Sequence, residues 1–313
     1  MTRVLVAAVL AAALVLPASA AQFINVLTGG TSGVYYPLGV ALSKVWDSGV
    51  PDARTSVQST KASVENLNLL QSGRGEAAFS LGDSVSQAWS GNEEAGFKQP
   101  LNKLRGMSAL YSNYIQIVAN ADSGVKTLAD LKGKRISVGA PKSGTELNAR
   151  TVFSAAGLSY DDFGKVEYLP FGESVELMKN RQIDATLQSA GLGVASIRDL
   201  STSIDIVVVE IPAEVVAKID DAAYQSSLIP AGTYDGQDAD VATVAISNYL
   251  ITHEGVPEDV VYAMTKSMYE NLDQLAASHA AAKGIKLEDA VKGMAVPLHP
   301  GAEKYFREVG VVQ

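Results

Sequence analysis

Short apolar runs alternate with helix-periodic stretches along most of this 313-residue chain, and this limits its fold more than any other feature. Phe23–Gly29 (FINVLTG) predicts a strand, a glycine turn, then an amphipathic helix from about Val34 to Trp46. Arg54–Thr60 predicts a second strand, Ser63–Gly73 a helix stopped by its glycine, and Glu76–Gly82 a third strand. The pattern returns in the middle of the chain. Strands are expected at Tyr114–Asn120, Lys134–Ala140, Lys165–Pro170, Ile183–Ser189 and Ile204–Ile211, and helices at Thr127–Gly133, Ser143–Gly157 and Ser174–Gln182. A last strong strand, Val241–His253, precedes a long helix with Val261, Met264, Met268, Leu272 and Leu275 on one face. Such alternation implies parallel pairing in an open α/β sheet, and two similar halves joined by crossing strands fit the length.

The start of the chain reads as an export leader. Arg3 supplies charge, Val4–Leu16 an apolar core, and Ala18-x-Ala20 a small-residue cleavage pattern, so residues 1–20 are expected to be a signal peptide. The apolar run is shorter than the roughly 20 residues a membrane span takes. The chain has no Cys, which excludes a lipid-anchored cysteine, disulfides and thiolate chemistry. Nearly 300 mature residues, in a chain that is 47% hydrophobic, are enough for two cored domains. The net charge of −9 argues against nucleic acid or anionic membrane as partners, so any small anion must be held by a local site.

Three turns share one design. Thr28–Gly33, Ser59–Ser63 and Gly139–Glu146 each follow a strand's carboxyl end and open a helix with glycines, hydroxyls and free amides. Open α/β sheets bind ligands at such ends, and helix N-termini attract anions. One such turn is ordinarily only a cap; three facing one another make a site for a carboxylate or phosphate. Lys61 and Lys142 lie in two of these turns and would suit a second charged group on the ligand. Of Tyr35 and Tyr36, one is expected to pack in the core and one to close over the ligand. Asp83 is read as a helix cap or as the receiver of an ammonium group.

Enzymatic readings find little support. His253, His279 and His299 are far apart, and no nucleophile elbow or phosphate-binding loop occurs. One Ser-x-x-Lys spacing, Ser123 to Lys126, sits in a loop. No cofactor is expected.

Five blocks carry a family resemblance: Thr28–Trp46, Ser59–Gly73, Asp122–Glu146, Ile229–Tyr234 and Pro297–Glu308. They resemble, in order, the TAXI family of TRAP-associated extracytoplasmic solute-binding proteins. The resemblance implies a two-lobed periplasmic binding protein type II fold, each lobe an open, mostly parallel sheet flanked by helices, with the ligand cleft between lobes. Lobe I is expected at residues 22–112 plus 230–313 and lobe II at 113–229. The implied function is capture of a small carboxylate (a dicarboxylate, 2-oxoglutarate or glutamate) in the periplasm for a TRAP permease, by a monomer that is not embedded in the membrane. A sensory binding protein serving a membrane receptor is the alternative. The expected ligand contacts are Thr28, Gly30, Thr31, Ser32, Gly33, Tyr35, Tyr36, Lys61, Ser63, Asp83, Lys142, Ser143, Gly144, Thr145, Gln188 and Ser189. Two departures stand out: Lys61 and Lys142 occupy turn positions where the family often has glycine, and Leu81-Gly82-Asp83 replaces a strand end that often reads Gln-Ser-Asp. Added cations favour a dicarboxylate or keto-dicarboxylate.

Overall fold

The computed structural model describes residues 21–313; the expected leader lies outside the described residues. The chain runs β1 (Gln22–Leu27), α1 (Tyr35–Gly49), β2 (Ala53–Gln58), α2 (Ser63–Gln71), β3 (Ala77–Leu81) and α3 (Gly82–Ser90), then a long β4 (Leu104–Asn120). The same order follows in β5 (Arg135–Ser137), α4 (Gly144–Ala155), β6 (Lys165–Glu167), α5 (Phe171–Lys179), β7 (Ala185–Ala190) and α6 (Ala195–Ser203). Next come β8 (Ile206–Val209), α7 (Ala213–Val216), β9 (Gln225–Ile229), the long β10 (Val241–His253), α8 (Glu258–Glu270), α9 (Leu272–Ser278) and α10 (Pro300–Glu308).

All ten strands form one mixed sheet, ordered β2-β1-β3-β10-β4-β7-β5-β6, with β8 on β4 and β9 on β10. The expected parallel pairing holds within each half: β1 pairs with β2 and β3, and β5 with β6 and β7. The two crossing strands are antiparallel to their neighbours, β10 to β3 and β4, and β4 to β7. Register then fixes where the halves meet. The carboxyl end of β3, Leu81, is level with Asn248, beside the Ser247–Ser112 pair of β10 and β4. Strand β7 runs the opposite way and ends with Ala190 level with Tyr114. Both sets of carboxyl ends therefore converge on Tyr111–Tyr114 in the middle of β4.

Two expectations are corrected. Strand β4 begins ten residues before the predicted Tyr114. Its early half carries Ser108, Ser112 and Asn113, polar residues that mask the apolar signal; Ser108 Oγ is spoken for inside the fold, donating to the Ala109 carbonyl. The predicted long helix after Pro257 is two helices, broken at Asn271 (φ −130°, ψ 31°), whose side chain caps the Ser267 carbonyl at 2.8 Å.

Buried polar side chains hold the turns in place. Asn66, fully buried in α2, donates to the carbonyls of Thr28 (2.7 Å) and Phe79 (2.9 Å) and accepts from Thr60 Oγ1 (2.6 Å), tying three loop ends together. At the matching fourth position of α5, Ser174 Oγ lies 2.7 Å from Ser137 Oγ and bonds the Pro170 carbonyl. Asp83, also fully buried, accepts from Asn148 Nδ2 of α4 (2.7 Å) and from Tyr224 OH (2.8 Å), so it stitches the two halves behind the turns.

Burial pushes the Asp83 carboxyl up to about 6, against the hydrogen bonds from Tyr224, the Ser84 amide and Asn148, which favour its anion. In the unfolded chain this group titrates near ~4. The folded protein thus keeps a proton that the unfolded chain has released, and stability falls as pH rises from about 4 to about 6. Asp83→Asn removes that cost. Its stability relative to wild type, from urea unfolding, is predicted to rise on the order of 2–3 kcal/mol between pH 4 and pH 7; a pH-independent difference contradicts the assignment.

Candidate functional site

Where the carboxyl ends meet lies a cavity of about 720 Å³ walled by four strand-to-helix turns. Each turn of one half touches one of the other. A Cβ built on Gly30 would lie 3.9 Å from Pro170, and one on Gly33 would lie 3.8 Å from the Phe171 ring. On the opposite side a Cβ on Gly144 would come within 2.6 Å of Ser63 Oγ and 2.7 Å of Leu81, and the Glu65 amide donates to the Lys142 carbonyl (3.2 Å). Glycine at 144 is therefore a matter of close approach.

Beneath the turns a buried network crosses the sheet. Tyr35 OH of α1 donates to Asn248 Oδ1 of β10; Asn248 Nδ2 donates to Asn113 Oδ1 (2.8 Å) and to the Tyr111 carbonyl (2.9 Å); Asn113 Nδ2 donates to the Ser189 carbonyl of β7 (3.0 Å). Tyr35, Tyr111, Asn113 and Ser189 form the floor. Burial raises the Tyr35 and Tyr111 hydroxyls well above the usual phenol range, so both are neutral donors near pH 7. Tyr111 OH and Ser189 Oγ, on side chains 4% and 5% exposed, have no hydrogen-bond partner among the described residues. Buried polar atoms normally have one, so these two hydroxyls, on residues that line the cavity, are left unsatisfied in its floor.

The helix N-termini differ in what they leave open. Helix α1 has no capping side chain: Val34 is its N-cap and Pro37 offers no N–H. In α4 the Ser143 hydroxyl satisfies the Glu146 amide (3.1 Å), leaving those of Gly144 and Thr145 without an intrahelical acceptor. At α2 the bonds fall just before the first turn: the Glu65 carboxylate takes the Lys61 amide (2.6 Å) and Thr60 Oγ1 takes that of the N-cap Ala62 (2.9 Å), so this helix brings its own anion to its N-terminus. Ala62 is held at φ 70°, ψ −148°, a region close to glycine-only, at a cost of ~1–3 kcal/mol.

Of the residues expected at the site, the structure brings to the wall Gly30, Thr31, Ser32, Gly33, Tyr35, Lys61, Ser63, Ser143, Gly144, Thr145 and Ser189. Five lie elsewhere. Thr28 is buried beneath α1, against the face where Gly39 leaves room, and donates to the Gln58 carbonyl (2.8 Å). Tyr36 follows Tyr35 about 100° around α1 and is not on the wall. Lys142 is exposed, at φ +63°, and contributes its carbonyl to the Glu65 amide rather than its ammonium to the cavity. Asp83 is bound to Asn148 and Tyr224, and Gln188 accepts from Ser196 Oγ (2.6 Å) inside its own half.

The sequence reading did not select the fourth turn, Leu169–Gly172, or the floor residues Tyr111 and Asn113. The turn holds the same place in the second half as Ser59–Ala62 in the first, which was the available signal, but its Leu-Pro-Phe-Gly lacks hydroxyls. Tyr111 and Asn113 belong to the part of β4 that did not read as strand. Ser123, of the Ser-x-x-Lys spacing, donates to the Asn120 carbonyl (2.6 Å) in a short 3-10 turn. Among the described residues no group of three metal-ligating side chains gathers, and no helix is long and apolar enough to cross a membrane.

Solved structures share this architecture. PhnD1 of Prochlorococcus marinus, in complex with methylphosphonate, matches with a TM-score of 0.59 at 12% identity, over 93% of this chain and 99% of that one. The periplasmic binding protein BugD matches at 0.58 and 11%, over 92% and 95%. A putative L-cystine ABC transporter protein of Listeria monocytogenes matches at 0.52 and 15%, over 85% and 98%. At these identities the likeness is one of fold, that of the type II periplasmic binding proteins. The family model described as NMT1-like spans residues 26–310, almost all of the described chain, and the chain belongs to the NMT1-like family.

Proposed function

We propose that this chain is the extracytoplasmic solute-binding component of a TAXI-type TRAP transporter, exported by its leader and capturing a small carboxylate for a membrane permease. Its lobes are residues 22–112 plus 230–313 and residues 113–229. The wall residues named above supply the contacts. One observation carries this reading: the N-termini of α1 and α4, from opposite halves, line one cavity, over a floor in which the Tyr111 and Ser189 hydroxyls have no partner among the described residues.

No bond is made or broken in such a function. An anion bridging helix N-termini from both halves binds the closed arrangement better than an open one, and only that preference shifts the equilibrium. A charge-assisted hydrogen bond contributes ~1.5–3 kcal/mol, so two or three support micromolar binding after ordering costs. The type II fold and the NMT1-like family support the solute-binding role, and the TAXI resemblance of the five sequence blocks supports the transporter class.

Lys61 is the only basic side chain on the wall among the described residues, so the two lysines part company. A thermal-shift screen against small carboxylates, amino acids and phosphates is predicted to single out a carboxylate, since ligand at a hundred times its Kd adds about 2.7 kcal/mol. For that carboxylate, Lys61→Ala is predicted to weaken binding about 2- to 5-fold, as fits an exposed ion pair of ~0.5–1 kcal/mol, while Lys142→Ala stays within 2-fold. Equal losses at both lysines, or none at Lys61, contradict the assignment.

A further inference from the structure

We propose, resting on the carboxylate reading above, that the solute carries one acid group and a bulky apolar body: an arylalkanoate-like monocarboxylate rather than a five-carbon dicarboxylate. The anionic end has one place to go. Of the four helix N-termini around the cavity, α2 already holds the carboxylate of Glu65 on the Lys61 amide. Helix α5 carries Glu173 in its first turn and presents Glu173 and Glu176 to the cavity, which repel a second acid group along that wall. Helix α1 has no acidic residue in its first turn, and the first-turn Glu146 of α4 is paired with Arg150 (2.7 Å). These two N-termini line the same cavity as Lys61, Tyr111 and Ser189, and Lys142, the second cation a diacid would have used, is not on the wall.

The wall also has a broad apolar part. Leu169, Pro170, Phe171 and Leu177 line the α5 side, with Leu81 and Ala140 beyond them. A cavity of about 720 Å³ falls within the ~300–1,000 Å³ range that suits drug-sized molecules, well beyond what a five-carbon diacid fills. Burying an aromatic body there gains free energy from surface that a diacid does not possess.

Isothermal titration of the purified protein with 3-phenylpropanoate, 3-phenylpropanamide and glutarate tests this. The acid is expected to bind about 10-fold or more tighter than glutarate, and about 10-fold or more tighter than its neutral amide. Phe171→Ala is expected to weaken 3-phenylpropanoate about 5- to 10-fold and Phe171→Leu by less, with melting temperatures reporting that both variants are folded. Glutarate binding as tightly as 3-phenylpropanoate, or a folded Phe171→Ala variant with unchanged affinity, overturns the monocarboxylate inference and leaves the carboxylate reading standing. An amide that binds as well as the acid, or no binding of either acid at millimolar concentration, overturns the carboxylate reading and this inference with it.

Discussion

The antiparallel seam between β4 and β10 is the constraint on which the rest of the structure depends. Parallel βαβ units place their loops at the carboxyl ends of their strands, and two such units side by side in one parallel sheet would present all their loops to one edge. Here β10 runs against the first unit's β3, β4 against β10, and the second unit's β7 against β4, three reversals in all. The units consequently run head-on, and their carboxyl ends stop at the same level, Leu81 beside Asn248 and Ala190 beside Tyr114. A cavity between them follows from register. The Tyr35–Asn248–Asn113–Ser189 network is the polar counterpart of that seam: it ties α1, β10, β4 and β7 together where the loops face each other, and leaves Tyr111 OH and Ser189 Oγ unused.

Symmetry between the halves explains the division of labour among the turns. The turn after β1 meets the turn after β6, and the turn after β2 meets the turn after β5. Asn66 and Ser174, each the fourth residue of the helix that follows the second strand of its half, fasten those turns from below. Chemistry then breaks the symmetry. The first half supplies an uncapped helix end and Lys61; the second supplies one open helix end at Gly144–Thr145 and one apolar, acidic wall at α5. A solute bound there experiences an anion-attracting side and an anion-repelling side.

Much of this was legible in the sequence. Period-2 and period-3.6 patterns located most strands and helices, and glycine with hydroxyls before a helix marked three of the four turns. The signals failed where one residue type serves two purposes. Lysine in a turn looks like a ligand contact, yet Lys142 contributes a backbone carbonyl in a left-handed conformation. Thr28 looks like part of a nest and instead packs under α1, and Asp83 and Gln188 bond within the fold, since nothing in a local pattern says which way a strand-end side chain turns. Leu169–Gly172 was passed over for the opposite reason: an apolar turn carries no anion signal, although it walls the same cavity. The early half of β4, with its serines and asparagine, shows that a central strand beside a polar cavity loses the hydrophobic signature by which strands are found.

The most direct measurement is a cross-link between turns of opposite halves. A Cβ built on Gly172 lies 3.8 Å from that of Ser32, inside the ~3.5–4.5 Å that a disulfide spans, and the chain has no cysteine of its own to interfere. The Ser32→Cys/Gly172→Cys double variant should close a disulfide under mild oxidation, with loss of both titratable thiols and a rise in melting temperature that reduction reverses. If both thiols stay free in the folded protein, the turns do not face each other across one cavity, and the account fails at its base.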